Sequence, residues 1–396
     1  MTKGEQLVEL AEENMGEGGL FVYDLGMMTD HAAALQAIAG AMPHGGMTVR
    51  YAAKANPHPT IVDTFDRLGL SFDASSTPEA TALLQTGVDG DRISLSSQVL
   101  RDTPELEEAL ARGVRPVATS VRQVGTLASA GAETGLENIA LRVNPGSGSG
   151  GNNRTTVGGP AAPFGIWKEE LPLALATAQL RGLTVDRIHT HIGSGVDPSA
   201  WQGTIRQSLE IVEECPETVT TLDIGGGYKV ARMADEPETN LGEVLDIFRT
   251  ELEDFRKHTG RAIRLEIEPG TWLVANAGTL LGRVEEVKQT PDYNQLILNV
   301  GMNAVLRISH YGAQHPIAGL VDERRERVEY AIFGPCCESG DILTPAPGNP
   351  EEIAPRELAK MMPGEYVAIG GAGAYCASMS ATQYNHVPEP TAVFVA

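Results

Sequence analysis

Short apolar runs alternate with amphipathic helical segments from about residue 47 to about residue 268. Runs of about four to eight residues rich in Val, Ile, Thr, Tyr and Phe are typical of β-strands. About eight strand–helix repeats within roughly 220 residues predict a (β/α)8 barrel. The predicted strands are MTVRYAAK, LSFDA, DRISLS, VRPVATS, NIALRV, LTVDRIHTHI, TVTTLDI and AIRLEIE.

A doubly wound parallel sheet is the main competing fold for this pattern. It would need fewer strands, or a glycine-rich phosphate loop after the first strand. The segment YAAKANPHP, at the end of the first predicted strand, contains no glycine. The pattern therefore favours the barrel.

The pattern changes after Glu268, where strands follow one another with turn-rich links. We expect an α/β TIM-type barrel over residues 36–270, and a mainly β domain of sandwich or Greek-key barrel type formed by residues 1–35 and 271–396. The glycine-rich segment 145–163 follows a barrel strand and is either a lid over the site or a plain surface loop. The strands predicted for the second domain are TWLVAN, TLLGRVEEV, NQLILNV, VEYAIFG, EYVAIG and AVFVA.

Composition and charge narrow the classes of function. Of the 396 residues, 42% are hydrophobic, and 30 basic against 52 acidic residues give a net charge of −22. Nucleic acids and anionic membranes bind clustered basic surfaces, so neither is an expected partner. The opening segment MTKGEQLVELAEENMGEGG has no apolar core of a signal peptide, and no run approaches the ~18 apolar residues of a membrane helix. The sequence predicts a folded cytoplasmic protein.

The cysteines and histidines give little support for a disulfide or a metal site. The four cysteines are Cys215, Cys336, Cys337 and Cys376, and the chain contains neither a C-x-x-C nor an H-E-x-x-H motif. The adjacent Cys336 and Cys337 are poorly placed to bridge each other. We expect reduced thiols and no metal.

Chemically distinctive residues lie at the ends of the predicted barrel strands, where barrel enzymes carry their active sites. In chain order they are Lys54, Asp73, Ser96 with Ser97, Asn144, His191 with Ser194, the triplet Gly225–Gly226–Gly227, and Glu268 followed by Pro269 and Gly270.

Each of these residues has a functional and a structural interpretation. A desolvated Lys54 at the barrel mouth can form a Schiff base, whereas a surface lysine would only hold its amine in water. Glu268 can keep a pyridine nitrogen protonated and so make the ring an electron sink. The alternative is a structural ion pair between Glu268 and Arg264 or Arg142.

The glycines and the histidine are open to two interpretations as well. Gly225–Gly227 and Gly270 let backbone N–H groups approach a phosphate, although a glycine triplet is also an ordinary tight turn. His191 can stack on a planar cofactor while Ser194 donates to its phosphate, or it is a core histidine. Taken together, the amine, imidazole, glycines and carboxylate favour pyridoxal 5'-phosphate.

Longer motifs point to a family. They are, in chain order, YAAKAN, LRVNPGSGSG, GIWKEELPLAL, HIGSGVD, DIGGGY, EIEPG, GMN followed by Arg307 and Tyr311, GPCCESGD and GAYCASMSATQYN. Through these motifs the chain resembles the alanine-racemase-fold pyridoxal-phosphate decarboxylases, the family of the ornithine and diaminopimelate decarboxylases. The resemblance covers nearly the whole chain and is closest to the diaminopimelate decarboxylases.

The resemblance implies a role for each matching residue. It implies that Lys54 and Cys337 are catalytic, and that Cys337 donates a proton from the neighbouring subunit of a homodimer with two shared sites. Glu338 would meet the substrate's amino group, and Arg307 with Tyr311 would bind its distal carboxylate. Cofactor binding is implied for Lys54, Asp73, His191, Ser194, Gly226, Gly227, Glu268, Gly270 and Tyr375, and substrate binding also for Tyr375 and position 271.

The chain departs from the family pattern at one position. Family members usually have E-P-G-R where this chain has Glu268–Pro269–Gly270–Thr271, so an arginine that would contact the substrate carboxylate or the phosphate is missing. Losing one partner of a buried charge pair costs about 2–5 kcal/mol, or roughly 30- to 3000-fold in affinity. Arg154, in the glycine-rich segment, is one candidate replacement.

Three functions follow from this resemblance. The first expectation is a pyridoxal-phosphate-dependent carboxy-lyase that converts meso-diaminopimelate to L-lysine and CO2. Thr271 motivates the second, a related decarboxylase acting on another amino acid such as a basic D-amino acid or a siderophore precursor. The third is a non-catalytic member that only carries the cofactor, against which the joint presence of Lys54, Glu268 and Cys337 argues.

Overall fold

The computed structural model describes residues 2–148, 158–191 and 193–396, so Arg154 and residues 149–157 of the glycine-rich segment lie outside the described residues. No helix in this described part of the chain is both long and apolar enough to cross a membrane. The helices are α1 Lys3–Asn14, α2 Leu25–Gly40, α3 Pro59–Arg67, α4 Thr77–Thr86, α5 Pro104–Ala111, α6 Val121–Ala130, α7 Leu171–Leu180, α8 Pro198–Glu213, α9 Leu241–Thr259, α10 Thr271–Val274 and α11 Met302–Tyr311. The strands are β1 Leu20–Asp24, β2 Met47–Ala52, β3 Ser71–Ala74, β4 Ile93–Ser96, β5 Arg115–Ala118, β6 Asn138–Asn144, β7 Ile166–Trp167, β8 Thr184–His189, β9 Thr221–Asp223, β10 Arg264–Ile267, β11 Gly278–Gln289, β12 Asn294–Leu298, β13 Ile317–Gly319, β14 Arg327–Phe333, β15 Pro345–Ala346, β16 Asn349–Ile353, β17 Arg356–Ala359, β18 Tyr366–Ile369 and β19 Thr391–Val395.

Two compact units make up the chain. The barrel unit comprises residues 29–229 and 237–273, and the β unit comprises residues 1–28, 230–236 and 274–396. The segment 230–236 lies in sequence between β9 and α9 of the barrel but belongs to the β unit.

Eight parallel strands form the closed barrel, in the order β5-β4-β3-β2-β10-β9-β8-β6, and β5 pairs with β6 to complete the ring. Each of the eight sequence runs predicted to be a barrel strand contains one of these strands. The predicted (β/α)8 barrel is therefore confirmed.

Local sequence signals explain how the helices between the strands begin and end. Thr103 caps α5, because its hydroxyl accepts the Leu106 N–H at 3.4 Å, and Gly113 follows the helix with φ of +92°. Between these ends, Leu106, Ala109 and Leu110 are buried at a helical spacing. The serine before α4 and the serine before α6 cap those helices in the same way.

A buried charged cluster lies among the barrel strands. Glu266 of β10 accepts hydrogen bonds from Arg50 of β2 at 2.8 and 2.9 Å and from Arg187 of β8 at 2.8 Å. Burial alone would raise the pKa of Glu266, but the two guanidinium groups hold that pKa well below its usual range. The cluster therefore stays ionised inside the barrel.

The β unit is a twisted sheet with the strand order β13-β18-β11-β12-β14-β17, and β1 pairs with both β11 and β19. Its core includes Leu20 and Val22 of β1, Leu281 of β11 and Ala368 of β18, against which Ala11 of α1 packs. The mainly β character predicted for this part of the chain is confirmed.

Two details of the prediction for the β unit are wrong. TWLVAN is not a strand, because residues 271–274 form helix α10, whose first turn is closed by the Leu273 N–H donating to Gly270 O at 3.2 Å. This short apolar run reflects burial of Leu273 and Val274, and burial alone does not distinguish a strand from a helix. The segment 302–311 forms helix α11 within a region where only strands and turns were expected.

Candidate active site

The carboxyl ends of the barrel strands bring several predicted site residues together. The Ala52 N–H donates to Pro269 O at 3.3 Å, which joins the end of β2 to the end of β10. The Glu268 N–H donates to Gly225 O at 2.9 Å and so joins β10 to the glycine triplet after β9. Lys54, Glu268 and Gly225 consequently lie on neighbouring strand ends of one barrel.

Lys54 lies on a 3-10 turn, Ala53–Ala55, directly after β2. Its Nζ donates to Asp73 Oδ2 at 2.8 Å and to Ser75 Oγ at 3.1 Å. The Lys54 side chain is 43% exposed, whereas that of Asp73 is 1% exposed, so the amine of this lysine is not desolvated. The buried Asp73 carboxylate holds an amine that an incoming molecule can reach.

Glu268 is a buried carboxylate that forms no ion pair with an arginine among the described residues. Its Oε1 has no hydrogen-bond partner among the described residues, and its Oε2 lies 3.7 Å from His189 Nε2. Within that described part, neither Arg264 nor Arg142 forms the structural ion pair considered as an alternative. Burial, with Asp223 and Asp73 nearby, raises the pKa of Glu268 well above its usual value. Such a group needs a proton or a cation.

His189 and Asp223 belong to this cluster and were missed by sequence reasoning. Both ring nitrogens of His189 and the Oδ2 atom of Asp223 are buried without a hydrogen-bond partner in the described structure. Burial holds the pKa of His189 well below its usual value, so the ring is neutral. Burial raises the pKa of Asp223 to about 6. The available signal was a histidine and an aspartate within otherwise apolar strand sequences, LTVDRIHTHI and TVTTLDI.

Two kinds of occupant fit this buried cluster. One ligand atom each from His189, Asp223 and Glu268 lies within 4.8 Å of the other two, and these are ligand types that divalent cations use. The protonated nitrogen of an aromatic ring would also satisfy the Glu268 carboxylate. The rest of the barrel mouth favours the ring.

His191 provides a flat surface beside Glu268. A Cβ atom at Gly225 would lie 2.6 Å from His191 Cγ, so the imidazole packs against a position that only glycine can occupy, and Gly225 also has φ of +73°. Burial lowers the pKa of His191 well below its usual value, so the ring is neutral. A neutral, flat ring is suited to stacking on a planar cofactor.

Glycine also lets the surrounding backbone segments pack directly on one another. A Cβ atom would lie 2.2 Å from Glu268 O at Gly226, and 2.0 Å from Gly193 O at Gly227. The Gly195 N–H donates to Gly227 O at 3.3 Å. The segments that carry Ser194 and the glycine triplet therefore pack backbone against backbone, and glycine at such positions lets a phosphate reach backbone N–H groups.

The barrel mouth thus fits pyridoxal 5'-phosphate in four respects. It offers an accessible amine at Lys54, a buried carboxylate with an unused oxygen at Glu268, a neutral imidazole at His191 and a glycine-lined surface. A divalent cation would explain the carboxylate but neither the amine nor the glycines.

In the β unit, Asp341 holds the loop 334–341, which carries Cys337 and Glu338. Its Oδ1 accepts the Met302 N–H at 2.6 Å, and its Oδ2 accepts the Cys336 N–H at 3.0 Å. Asp341 is 1% exposed, so these bonds form in a desolvated position. The carboxylate fixes both the start of α11 and the centre of the loop.

Cys337 and Glu338 differ from Cys336 in accessibility. Both are exposed on their own chain, whereas Cys336 is buried and burial raises the pKa of its thiol to about 12. The Cys337 N–H donates to Asn385 Oδ1 at 2.7 Å, and the Tyr384 hydroxyl donates to Glu338 Oε2 at 3.2 Å. Of the two adjacent thiols, the one on Cys337 is available to another molecule.

The remaining predicted substrate residues also lie in the β unit, except Thr271. Arg307 and Tyr311 are one turn apart on α11, and Arg307 Nη1 lies 2.6 Å from His315 Nε2. Tyr375 has φ of +55°, a conformation that is strained for a non-glycine residue and concentrated at functional sites. Thr271 is the half-buried first residue of α10 in the barrel unit.

Comparisons with known proteins agree with this chemistry. Residues 29–275 match the family described as pyridoxal-dependent decarboxylase, pyridoxal binding domain. The chain is 31% identical to the diaminopimelate decarboxylase of Escherichia coli K12 over 93% of its length and 86% of that protein. It is 31% identical to the diaminopimelate decarboxylase of Methanothermobacter thermautotrophicus, over 99% of this chain and 89% of that one. A crystal structure of a diaminopimelate decarboxylase is similar with a TM-score of 0.84 and 29% identity, covering 96% of this chain and 89% of the other.

Proposed function

Since the chain belongs to the family of pyridoxal-dependent decarboxylases that includes the diaminopimelate decarboxylases, we propose that it converts meso-diaminopimelate to L-lysine and CO2. As a family member it is a pyridoxal-phosphate-dependent carboxy-lyase. The observation that carries the proposal is the buried Glu268 carboxylate, one oxygen of which has no partner among the described residues. Glu268 directly follows β10, which pairs with β2, the strand before Lys54.

When bound, pyridoxal 5'-phosphate supplies an aldehyde that reacts with amines and a ring that takes up the electron pair released with CO2. In this chain, Lys54 would hold the aldehyde carbon, and Asp73 would orient the lysine amine. His191 would lie against the ring, and Ser194, Gly226, Gly227 and Gly270, with Tyr375 of the β unit, would hold the phosphate.

Glu268 would set the electronic state of the site. Its raised pKa means that the buried carboxyl group keeps a proton or pairs with a cation at neutral pH. Placed against the ring nitrogen, it would keep a proton on that atom. Among the described residues no arginine forms an ion pair with this carboxylate, which supports that role.

Protonation of the substrate's α-carbon requires a separate acid. We propose Cys337 for this step, with Glu338 meeting the substrate's amino group. We also propose a homodimer in which the exposed loop 334–341 of one subunit completes the barrel site of the other. This arrangement is supported by the exposure of Cys337 and Glu338 on their own chain and by the rigid hold of Asp341 on the loop.

The substrate keeps one carboxylate after CO2 is released, and this carboxylate needs a cationic partner. We propose that Arg307, together with Tyr311, binds it. Thr271 would add only a short hydroxyl to this part of the substrate. We place the reaction in the cytoplasm, with support from four cysteines that are all unbridged.

The test is product formation by purified protein supplied with pyridoxal 5'-phosphate and meso-diaminopimelate. We expect equimolar CO2 and L-lysine, and no product from the Lys54→Ala variant. Metal analysis of the active protein would show no stoichiometric divalent cation. A protein that binds the cofactor through Lys54 but forms no L-lysine would contradict the proposal.

A second candidate substrate follows from Thr271. Because the family's arginine is absent at that position, a decarboxylase for another amino acid, such as a basic D-amino acid or a siderophore precursor, is the main competitor. Values of kcat/KM across a panel of amino acids decide between them. A tenfold advantage of any other substrate over meso-diaminopimelate, about 1.4 kcal/mol, would favour this candidate.

A further inference from the structure

Two neighbouring arginines in the β unit form no ion pair with a carboxylate of the described residues. Arg232 comes from the segment 230–236, and Arg307 comes from α11. Arg232 Nη2 is buried without a hydrogen-bond partner, and no ion pair among the described residues includes either guanidinium group. In a chain with 52 acidic residues, a buried guanidinium nitrogen without a partner among the described residues indicates that the partner is supplied from outside.

The two guanidinium groups are held by two consecutive glycines that follow β18. Arg232 Nε donates to Gly371 O at 3.0 Å. A Cβ atom at Gly371 would lie 2.8 Å from Arg232 Cγ, and Gly371 has φ of +64°, so this close approach requires glycine. Gly370 O accepts the Nδ1–H of His315 at 2.8 Å, and His315 Nε2 accepts from Arg307 Nη1 at 2.6 Å.

Within the described part of the chain, no carboxylate forms an ion pair with either guanidinium group. Burial, together with Arg307 and Arg232, holds the pKa of His315 well below its usual value, so His315 is a neutral acceptor. Burial and the nearby Arg307 lower the pKa of Arg232 to about 9, and the negative charge of Glu236 only partly offsets this effect. The Glu236 carboxylate accepts instead from the backbone N–H groups of Arg232 and Met233.

We propose that Arg232 is a second carboxylate-binding residue, which together with Arg307 binds the carboxylate that the substrate keeps. The inference rests on the proposed function. It identifies Arg232 as the residue that supplies the positive charge missing at position 271. The cofactor phosphate is the other anion of the proposed reaction, but the glycine segments of the barrel unit already suit it. The product L-lysine retains the bound carboxylate, whereas 1,5-diaminopentane has the same carbon chain without one.

This difference between two ligands gives a test that needs no turnover. Binding of L-lysine and of 1,5-diaminopentane to the cofactor-loaded protein is measured by calorimetry for wild type, Arg232→Gln and Arg232→Lys. Wild type should prefer L-lysine by about tenfold or more, and Arg232→Gln should lose most of that preference. Arg232→Lys should keep part of it, because the charge remains but the forked geometry is lost.

Kinetic and cofactor measurements on the same proteins complete the test. The KM for meso-diaminopimelate should rise about 30-fold or more in Arg232→Gln, while the Kd for pyridoxal 5'-phosphate changes less than about twofold. The matched control is Arg283→Gln, which removes an exposed arginine of the β unit paired with Glu285 and should behave as wild type. Circular dichroism and the Tm verify that each variant is folded.

Two results would overturn the proposal. An unchanged preference for L-lysine in Arg232→Gln excludes a carboxylate role, and a large loss of cofactor affinity with an unchanged preference assigns Arg232 to the phosphate. Failure of the proposed function gives a different result. In that case wild type still prefers L-lysine through Arg232, which supports the role of this residue, but it releases no CO2 from meso-diaminopimelate, which contradicts the proposed reaction.

Discussion

At the barrel mouth, buried polar atoms without partners mark the positions where the chemistry is expected. Glu268, Asp223 and His189 each have at least one buried polar atom without a hydrogen-bond partner among the described residues, although such an atom costs about 1–3 kcal/mol. By contrast, the ion cluster around Glu266 satisfies both oxygens of its carboxylate. The first group is suited to binding a ligand, and the second to holding the barrel together.

Replacing Glu268 with glutamine tests its electronic role. Glutamine has nearly the same shape but cannot keep a proton on a ring nitrogen by its charge, so we expect kcat to fall by about 10²-fold or more. The absorbance of the cofactor attached to Lys54 should remain. The control is Glu329→Gln, an exposed position on β14. Wild-type turnover by Glu268→Gln would exclude the proposed role.

Replacing Asp223 with asparagine tests the buried carboxylate through stability. Because burial raises its pKa to about 6, the folded protein holds this proton more tightly than the unfolded chain does. Its contribution to stability is therefore present below about pH 4 and is lost as the pH rises to about 6. The free energy of unfolding of Asp223→Asn, measured in urea, should rise relative to wild type across this interval. A constant difference between the two proteins over the same pH range would contradict the assignment.

Some site residues could be predicted from sequence and others could not, for a physical reason. Lys54, His191 and Glu268 lie at the ends of predicted strands, and parallel barrel strands end at one rim, so their proximity follows from the fold. The burial of Asp223 and the pairing of Glu266 with Arg50 and Arg187 depend on which side chains meet inside the barrel. The unpaired state of Arg232 depends on the β unit, and no local pattern indicates it.

Among the elements, the barrel strands were predictable because each combines an apolar run with a following helix. The β unit was less predictable. Its strands β13, β15, β16 and β17 are short, and α11 is interrupted at Val305, whose φ and ψ are not helical, so its periodicity is weak. Edge and hairpin strands of this kind are stabilised by pairing with partners distant in sequence, which a local pattern does not reveal.

At this scale, Asp341→Ala tests the loop that carries Cys337. Removing the carboxylate leaves the Met302 and Cys336 N–H groups without their acceptor, so we expect a loss of about 1–3 kcal/mol in the free energy of unfolding. The kcat should fall while the absorbance of the bound cofactor stays unchanged, because the loop belongs to the β unit. Asp322→Ala removes an exposed carboxylate of the same unit and serves as control. Unaltered kcat in a demonstrably destabilised Asp341→Ala protein would separate the loop from catalysis.

For the whole molecule, the net charge of −22 contrasts with the cations described in the interior and near the proposed substrate site. Arg50 and Arg187 are neutralised by Glu266, whereas Arg232 and Arg307 have no carboxylate partner in the described structure. Charge on the surface therefore says little about the sign of the charge in the site. The local arrangement decides which ligands bind.

The proposed shared site makes a prediction about mixed dimers. Each of the variants Lys54→Ala and Cys337→Ala should be nearly inactive by itself. After the two are mixed and re-associated, about half of the dimers are hybrids, and each hybrid has one intact site of two. Because about half of the dimers have half of their sites intact, we expect the mixture to recover about one quarter of the wild-type activity. A mixture of Lys54→Ala and Glu268→Gln should recover none, because both residues belong to the same barrel. Failure of the first mixture to recover activity, with hybrid dimers demonstrated, would exclude sharing of Cys337.

The central claim is that Lys54 at the barrel mouth holds pyridoxal 5'-phosphate. Borohydride reduction of the cofactor-loaded protein, followed by proteolysis and mass spectrometry, tests it directly, because reduction makes the link between lysine and cofactor permanent. We predict one reduced cofactor per chain, located on the peptide that contains Lys54, and none on the Lys54→Ala variant. A cofactor attached to a different lysine in an active protein, or active protein with no attached cofactor, would contradict the account.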